Sequence, residues 1–400
     1  MDKLIVQPLI VSDIPTVVVI DALDECKDDE PASAILSVLG QFVSKLPRVK
    51  FFVTGRPEPR IHQGFCLPQM EGMADVFVLH QVDPGQVDRD IQLLFRHSFS
   101  ELSHRHKLDN WPGKEQLDLL CQRAAGLFVY ATATVRFIDH KNSDPEERLV
   151  RLLESSENSV HEGKTKLKEN TTLDSLYMSI LQEAFEDNDP EDDIRVCSVL
   201  GAVILAENPL SPSVIATLLD FRTRVVFIQL SSVHSLLILQ EDIDYPVRPF
   251  HKSFPDFILD PTRCTNQRFH ISPPDHHLEL LIGCLRLMNQ GLERNMCRLP
   301  DAIINQDVDD LQKRTEQHID HGLQYACKSW HKHLTHVHVV LPHVIKMLHQ
   351  FLEEKFVFWV EVLSVLGVLR VGVDALGVAA KQLEVCCIHM LGGFHTISHV

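Results

Sequence analysis

None of the ten cysteines stands in a C-x-x-C pair; the only close pair is the adjacent Cys386–Cys387. That excludes a disulfide framework and suits a reduced cytosolic protein. Basic residues are scarce: 38 Lys and Arg face 55 Asp and Glu, a formal net charge of -17. A chain this acidic offers no broad electrostatic surface for nucleic acid, and no Lys/Arg cluster with interleaved aromatics contradicts that. Long apolar runs are absent too. The most apolar late stretch, residues 356–380, is interrupted by Glu361, Arg370 and Asp374, so it predicts core helices and not a membrane span. The opening MDKLIVQPLIVSDIP lacks the basic start and small-residue cleavage site of a secretory signal. No repeat of about 40–45 residues with Gly-His and Trp-Asp signatures is present. These absences predict a cytoplasmic protein with neither nucleic-acid nor membrane partners. What remains is ample: 400 residues, 44% hydrophobic and 23% charged, enough for two to four domains with sizeable cores.

The most informative stretch is residues 17–25, Val-Val-Val-Ile-Asp-Ala-Leu-Asp-Glu. Four β-branched residues without alternation predict a strand buried on both faces, as in a parallel sheet. The run ends in Asp21, Asp24 and Glu25. In open α/β sheets ligands bind beyond the carboxyl ends of strands, which is where these acids fall. Pro31 then suits the first turn of a helix reaching about Leu46, with Ile35, Val38, Leu39, Phe42, Val43 and Leu46 on one face. Phe51-Phe52-Val53 reads as a second buried strand, followed by Thr54-Gly55-Arg56-Pro57, and a third short strand is expected about Val76–Leu79. Strand–helix–strand order of this kind predicts βαβ units and a parallel sheet. Arg56 then shares a rim with the acids, where a guanidinium can reach a terminal phosphate. The competing readings are a loop-capping Asp21 and a solvated Arg56 held between turn formers.

These two motifs together resemble the Walker B strand and sensor-1 arginine of NACHT-type STAND signalling NTPases, in particular the fungal NACHT–WD40 type. The resemblance implies that Asp21 coordinates Mg²⁺ through water, that Asp24 and Glu25 act as the catalytic pair, and that Thr54 and Arg56 contact the nucleotide. It implies ATP or ADP with Mg²⁺ as cofactors. The family's phosphate loop, G-x-x-x-x-G-K-[ST], occurs nowhere in these residues. In the family it precedes the Walker B strand, and residues 2–11 resemble the helix between the two. The expectation is therefore a portion lacking Walker A and the WD40 repeats, with no competent NTPase activity on its own.

Further on, helical periodicity dominates. Ala124–Ala133, continuing to Ile138, resembles the helical subdomain after the NACHT core. Gly126-Leu127-Phe128 stands where relatives place Gly-x-Pro beside the adenine; Phe128 is a base-contacting candidate or a helix-core residue. Residues 154–172 are polar and read as a linker. Ser211-Pro212 is a cap and first-turn signal for a helix to Leu219, and 235–239 with 246–250 suggest a hairpin. Helices followed by a hairpin make a winged-helix pattern, here without a basic recognition helix. Phe250-His251-Lys252-Ser253-Phe254 resembles the family's winged-helix motif, whose His contacts the β-phosphate of ADP; the alternative for His251 is a cap at the hairpin-to-helix junction. Helices are expected at His276–Met288 and Val308–Leu323. Tyr325-Ala326-Cys327 with Trp330, and the run from Phe351 to Ser364, resemble the helical linker of NACHT–WD40 proteins. The histidines crowded between 318 and 349 lack metal-ligand spacing and read as a solvated helical face.

The fold expected is α/β, then mostly α: the partial parallel sheet of a P-loop NTPase in 1–80, a helical subdomain in 81–153, a linker in 154–172, a winged helix in 173–265 and helical linker domain in 266–400. The function expected is that of a STAND-type switch whose nucleotide state controls oligomerisation and protein partners. The alternatives are a non-catalytic scaffold, and a gene fragment without independent function.

Overall fold

The computed structural model describes residues 7–8, 14–26, 29–56, 58–66, 70, 72–77, 83–140, 143–155, 169–300, 305, 308–338 and 341–393. Two units divide the chain, Met1–Pro84 and Gly85–Val400.

In the first unit β1 (Thr16–Ile20) pairs in parallel with β2 (Val49–Val53), from Thr16 opposite Val49 to Ile20 opposite Val53. The crossover is α1 (Asp29–Phe42), which tightens into a 3-10 turn over Val43–Lys45. After β2 comes α2 (Pro59–Phe65). Leu23, Ala32, Leu36, Leu39 and Ile61 form the core, with Ile20, Phe51 and Val53 packed on it from the sheet. Gly64 lets α2 approach α1: a Cβ there would stand 2.3 Å from Leu36 Cδ1.

Two expectations change here. The strands are not buried on both faces: Val17, Val19 and Phe52 are 67%, 62% and 61% exposed. They alternate with half-buried neighbours because, among the described residues, the core packs on one side of the sheet. Val76 and Phe77 lie in no strand and are exposed, while Val78 and Leu79 fall outside the described residues. The described residues of this unit therefore form a two-stranded sheet. Of the segment read as a preceding helix, residues 7 and 8 are helical and the others fall outside the described residues.

Among its described residues the second unit is helical apart from one ribbon and the connecting loops. Helices α3 (Pro84–His106), α4 (Lys114–Ala124), α5 (Phe128–Ile138), α6 (Pro145–Ser155) and α7 (Glu169–Ala184) come first. Of the stretch read as a linker, residues 156–168 lie outside the described residues, and the flanks belong to α6 and α7. Next are α8 (Pro190–Leu205), α9 (Pro212–Leu219) and α10 (Thr223–Ser232). Asp189 caps α8 by accepting from the N–H groups of Glu191 and Asp192, and Ser211 caps α9 by accepting from Val214. β3 (Leu237–Ile238) and β4 (Arg248–Pro249) form a short antiparallel ribbon, followed by α11 (Ser253–Ile258).

The last portion holds α12 (Pro273–Gly291), α13 (Leu311–His318), α14 (His321–Thr335), α15 (Pro342–Gln350), a π turn over Phe351–Lys355, α16 (Phe356–Val365) and α17 (Leu369–Gly393). The helix expected over 308–323 is interrupted at Ile319–Asp320, because the Asp320 side chain caps α14 by accepting from Leu323 N. Trp330, Trp359 and Phe351 pack edge to face with centroids 5.5–6.1 Å apart. The indole N–H of Trp359 donates to the Cys327 carbonyl at 2.9 Å. The histidines here are not all solvated: His331 and His333 are buried, on a helix that is buried around most of its circumference.

Candidate functional site

The parallel register sets the ends of β1 and β2 side by side, and Thr54 ties them together. Its N–H donates to the Ile20 carbonyl at 2.9 Å, and its carbonyl accepts from Leu23 N at 2.9 Å. Its hydroxyl oxygen accepts from Ala22 N at 2.8 Å and its hydroxyl proton goes to Asp21 Oδ1 in a very short bond. Ala22 has φ 51°, so the chain turns left-handed between the acids. A small residue is required there because a branched side chain in that region is strained.

That turn swings Asp24 inward. Asp24 is 5% exposed and accepts from the main-chain N–H of Arg56 at 3.1 Å. Arg56 Nε stands 3.6 Å from Asp24 Oδ2, with the guanidinium side chain 44% exposed. Asp21 by contrast is exposed. Glu25 ends the 3-10 turn Leu23–Glu25, and its side chain lies outside the described residues. The structure thus brings Asp21, Thr54, Asp24 and Arg56 together. No group of three or more His, Cys, Asp or Glu among the described residues could hold a metal. The donor set does not suit a metal caged by protein alone. It does fit Mg²⁺ held by one carboxylate, water and substrate phosphates, the usual way that ion is bound.

Phe128 and His251 belong to the second unit. Phe128 opens α5 after a left-handed pair, Ala125 and Gly126, with φ of 47° and 80°. At 46% exposure it is not a helix-core residue. His251 lies between β4 and α11, where its Nδ1 accepts the Ser253 N–H at 3.2 Å and stands 2.6 Å from Ser253 Oγ. A neutral ring therefore carries its proton on Nε2. Tyr177 Oη lies 2.7 Å from the same Ser253 Oγ, and burial pushes the Tyr177 hydroxyl up to about 12 against the opposing effect of that bond. The junction cap thus uses Nδ1 and leaves the ring proton on Nε2.

Two residues here escape sequence reasoning. Tyr177 supports Ser253 from α7. Arg136 on α5 donates to the carbonyls of His234 and Leu237 at 2.7 and 2.6 Å and lies 4.2 Å above the Phe250 ring. It fastens the ribbon that precedes His251 to α5. Nothing local marks either residue, since their partners lie far along the chain.

The family model described as Nephrocystin 3, N-terminal, matches residues 1–56, the segment that carries the acids, Thr54 and Arg56. The vegetative incompatibility protein HET-E-1 of Podospora anserina is 24% identical over 410 aligned positions, 94% of this chain. This chain is a relative of the NACHT-type STAND proteins. This chain spans 27% of the length of that curated relative. No solved structure matches it.

Proposed function

We propose that the chain is part of a STAND-type signalling NTPase whose nucleotide state switches self-association or the binding of protein partners. The observation that carries this is the clasp at the carboxyl ends of β1 and β2, where Asp21, Thr54, Asp24 and Arg56 meet. Bound Mg²⁺ would supply charge neutralisation of the phosphates. Asp21 would hold it through water, Asp24 and Glu25 would be the catalytic acids, and Thr54 would fix the geometry of Asp21. Arg56 would turn from Asp24 toward the terminal phosphate. In the second unit, α8–α10 with the β3–β4 ribbon read as the winged helix. His251 would offer Nε2–H to a β-phosphate of ADP, and the exposed Phe128 would meet the base.

A second reading, a non-catalytic scaffold, is favoured by one feature. Asp24 and Arg56 are engaged with each other, and the 400 residues contain no G-x-x-x-x-G-K-[ST] cradle. Hydrolysis by this chain alone is therefore not expected. Calorimetric titration of the chain with ADP and ATP, with and without Mg²⁺, separates the two readings. Mg²⁺-dependent binding weakened by Asp21→Asn and by Arg56→Ala supports the switch. No binding, or binding indifferent to both changes, leaves the scaffold.

A further inference from the structure

The last helix of the second unit, α17, packs on the unit with one side and leaves another bare. Ala375 and Ala379 are buried, and Gly372 lets the helix approach α16, since a Cβ there would stand 3.2 Å from Leu363 Cδ1 and 3.6 Å from Trp359 Cη2. Gln382 Nε2 donates to the Leu334 carbonyl of α14 at 3.4 Å. A second side turns to solvent. Leu369, Val373 and Leu376 are 51%, 73% and 38% exposed, and Gly377 and Ala380 are exposed between and beyond them. A contiguous apolar stripe of this kind marks an interaction surface, where single exposed apolar residues would not.

The stripe keeps a strict spacing. From Leu369 the steps are four, three and four residues, to Val373, Leu376 and Ala380, and the sequence repeats them at Leu383, Cys387 and Met390. Alternating steps of four and three average 3.5 residues, the repeat of a coiled-coil seam. The helix runs on to Gly393, so residues 369–390 cover about 32 Å of its length at 1.5 Å per residue.

Charge lies along one flank of the stripe. Arg370, Asp374 and Lys381, all exposed, each follow a stripe residue by one position, so they share a side about 100° further round the helix. The other flank holds Gly372 and Ala379, which carry no charge. This asymmetry selects an orientation. In a parallel pair of such helices the charged flank of each would face the uncharged flank of the other. In an antiparallel pair the two charged flanks fall on the same side, and the signs match. With Leu376 level with Ala380 of the second copy, Asp374 comes within one residue of Lys381 of the second copy, and the twofold axis repeats the pair on the other side.

We propose that the exposed side of α17 is a self-association surface, covered by α17 of a second copy of this chain in antiparallel order. The axis passes near Val378, where Gly377 and Ala380 allow the two backbones to come close. The apolar layers on either side supply the attraction, and the Asp374–Lys381 pairs fix the direction. One helix pair is a small interface, so association in the micromolar range is expected. The contact needs no nucleotide, so it stands apart from the nucleotide chemistry proposed above.

The test is sedimentation velocity of the full chain without nucleotide, from about 1 to 200 µM. Salt is held at about 0.15 M, where the net charge of -17 is screened beyond about 8 Å. A monomer–dimer equilibrium is expected, and Val373→Asp should abolish it with the circular dichroism spectrum unchanged. Asp374→Lys and Lys381→Asp should each weaken the dimer about tenfold, because each sets like charges against one another on both sides of the axis. An equimolar mixture of these two variants should regain the original affinity, since one chain then carries lysine at both positions and the other aspartate at both. Only the antiparallel order gives that rescue, and the mixture carries the test by itself if Val373→Asp disturbs the fold. A monomer at every concentration, a dimer indifferent to a folded Val373→Asp, charge reversals without effect, or a mixture that stays weak would each overturn the proposal.

Discussion

Asp24 and Arg56, from loops after two different strands, are joined twice: main-chain N–H to Oδ1 at 3.1 Å and Nε to Oδ2 at 3.6 Å. The partners are unequally exposed, and this ranks their substitutions. Arg56→Ala removes a half-exposed cation and leaves the N–H bond in place, a loss of about 1 kcal/mol or less. Asp24→Ala deprives a partly buried N–H of its acceptor and should cost about 1–3 kcal/mol. Hydrogen exchange at β1 and β2 amides reads the difference. Equal protection in the two variants would mean that the clasp has no structural role.

Ala22 supplies a second prediction from its φ of 51°. A left-handed L-residue costs roughly 1–2 kcal/mol, most of which glycine avoids. Ala22→Gly should therefore leave the first unit as stable as before or slightly more so, whereas Ala22→Ile should destabilise it, measured by the same exchange. If Ile is tolerated as well as Gly, the turn between Asp21 and Asp24 is not left-handed in solution.

How much of this was legible follows from the range of each interaction. Ser211 and Pro212 announce α9 because a cap is settled within one turn, and the helix begins at Pro212 as expected. That the loops after β1 and β2 open at one edge was legible too, since paired parallel strands point their carboxyl ends the same way, and the register sets Ile20 opposite Val53. That Asp24 turns inward was not, because it depends on the left-handed Ala22. Strand burial on both faces failed because the apolar run specifies a strand but not how many layers cover it; Val17 and Val19 remain exposed. Arg136 was invisible for a different reason. The carbonyls it serves lie 98 and 101 residues away, and no local pattern encodes that.

Acid sensitivity should appear at a histidine pair. His140 and His234 pack with ring centroids 4.8 Å apart, and burial, ahead of their other neighbours, lowers the proton affinity of each. For a base whose folded pKa is depressed, the folded state binds fewer protons than the unfolded one below about pH 6.5. Stability is full above that value and is lost as pH falls through the window. Thermal midpoints of the chain should drop from pH 7.5 to 5.5, and His234→Gln should reduce the drop. An unchanged slope in that variant would remove His234 from the account.

Arg148 is the test of a buried ion pair. Its side chain is 9% exposed, its Nε meets Glu183 Oε1 at 2.9 Å, Nη1 donates to the Phe137 carbonyl at 2.5 Å, and the guanidinium lies 4.2 Å over the Phe137 ring. Removing one partner leaves the other uncompensated, so Arg148→Ala should cost about 3–5 kcal/mol by denaturant unfolding. Arg148→Lys should rescue little, because an ammonium cannot stack and donate in a fork together. Full rescue by Lys would show that charge alone matters at this site.

Two helical glycines set propensity against packing. On propensity alone, Gly→Ala inside a helix gains about 1 kcal/mol. At Gly377 in α17 nothing lies within 4 Å of where a Cβ would stand, so Gly377→Ala should realise that gain. At Gly283 in α12 the Cβ would sit 2.2 Å from the Leu218 carbonyl oxygen, a main-chain atom that cannot rotate away. The same carbonyl and that of Thr217 accept from Arg286 Nη2 at 3.2 and 2.7 Å, so pushing α9 back would also disturb the bonds that close its last turn. Overpacking costs about 1–3 kcal/mol and exceeds the propensity gain. Gly283→Ala should therefore lower, and Gly377→Ala raise, the midpoint of denaturant unfolding. A rise in both would mean that α9 and α12 cross less closely than the Gly283–Leu218 contact requires.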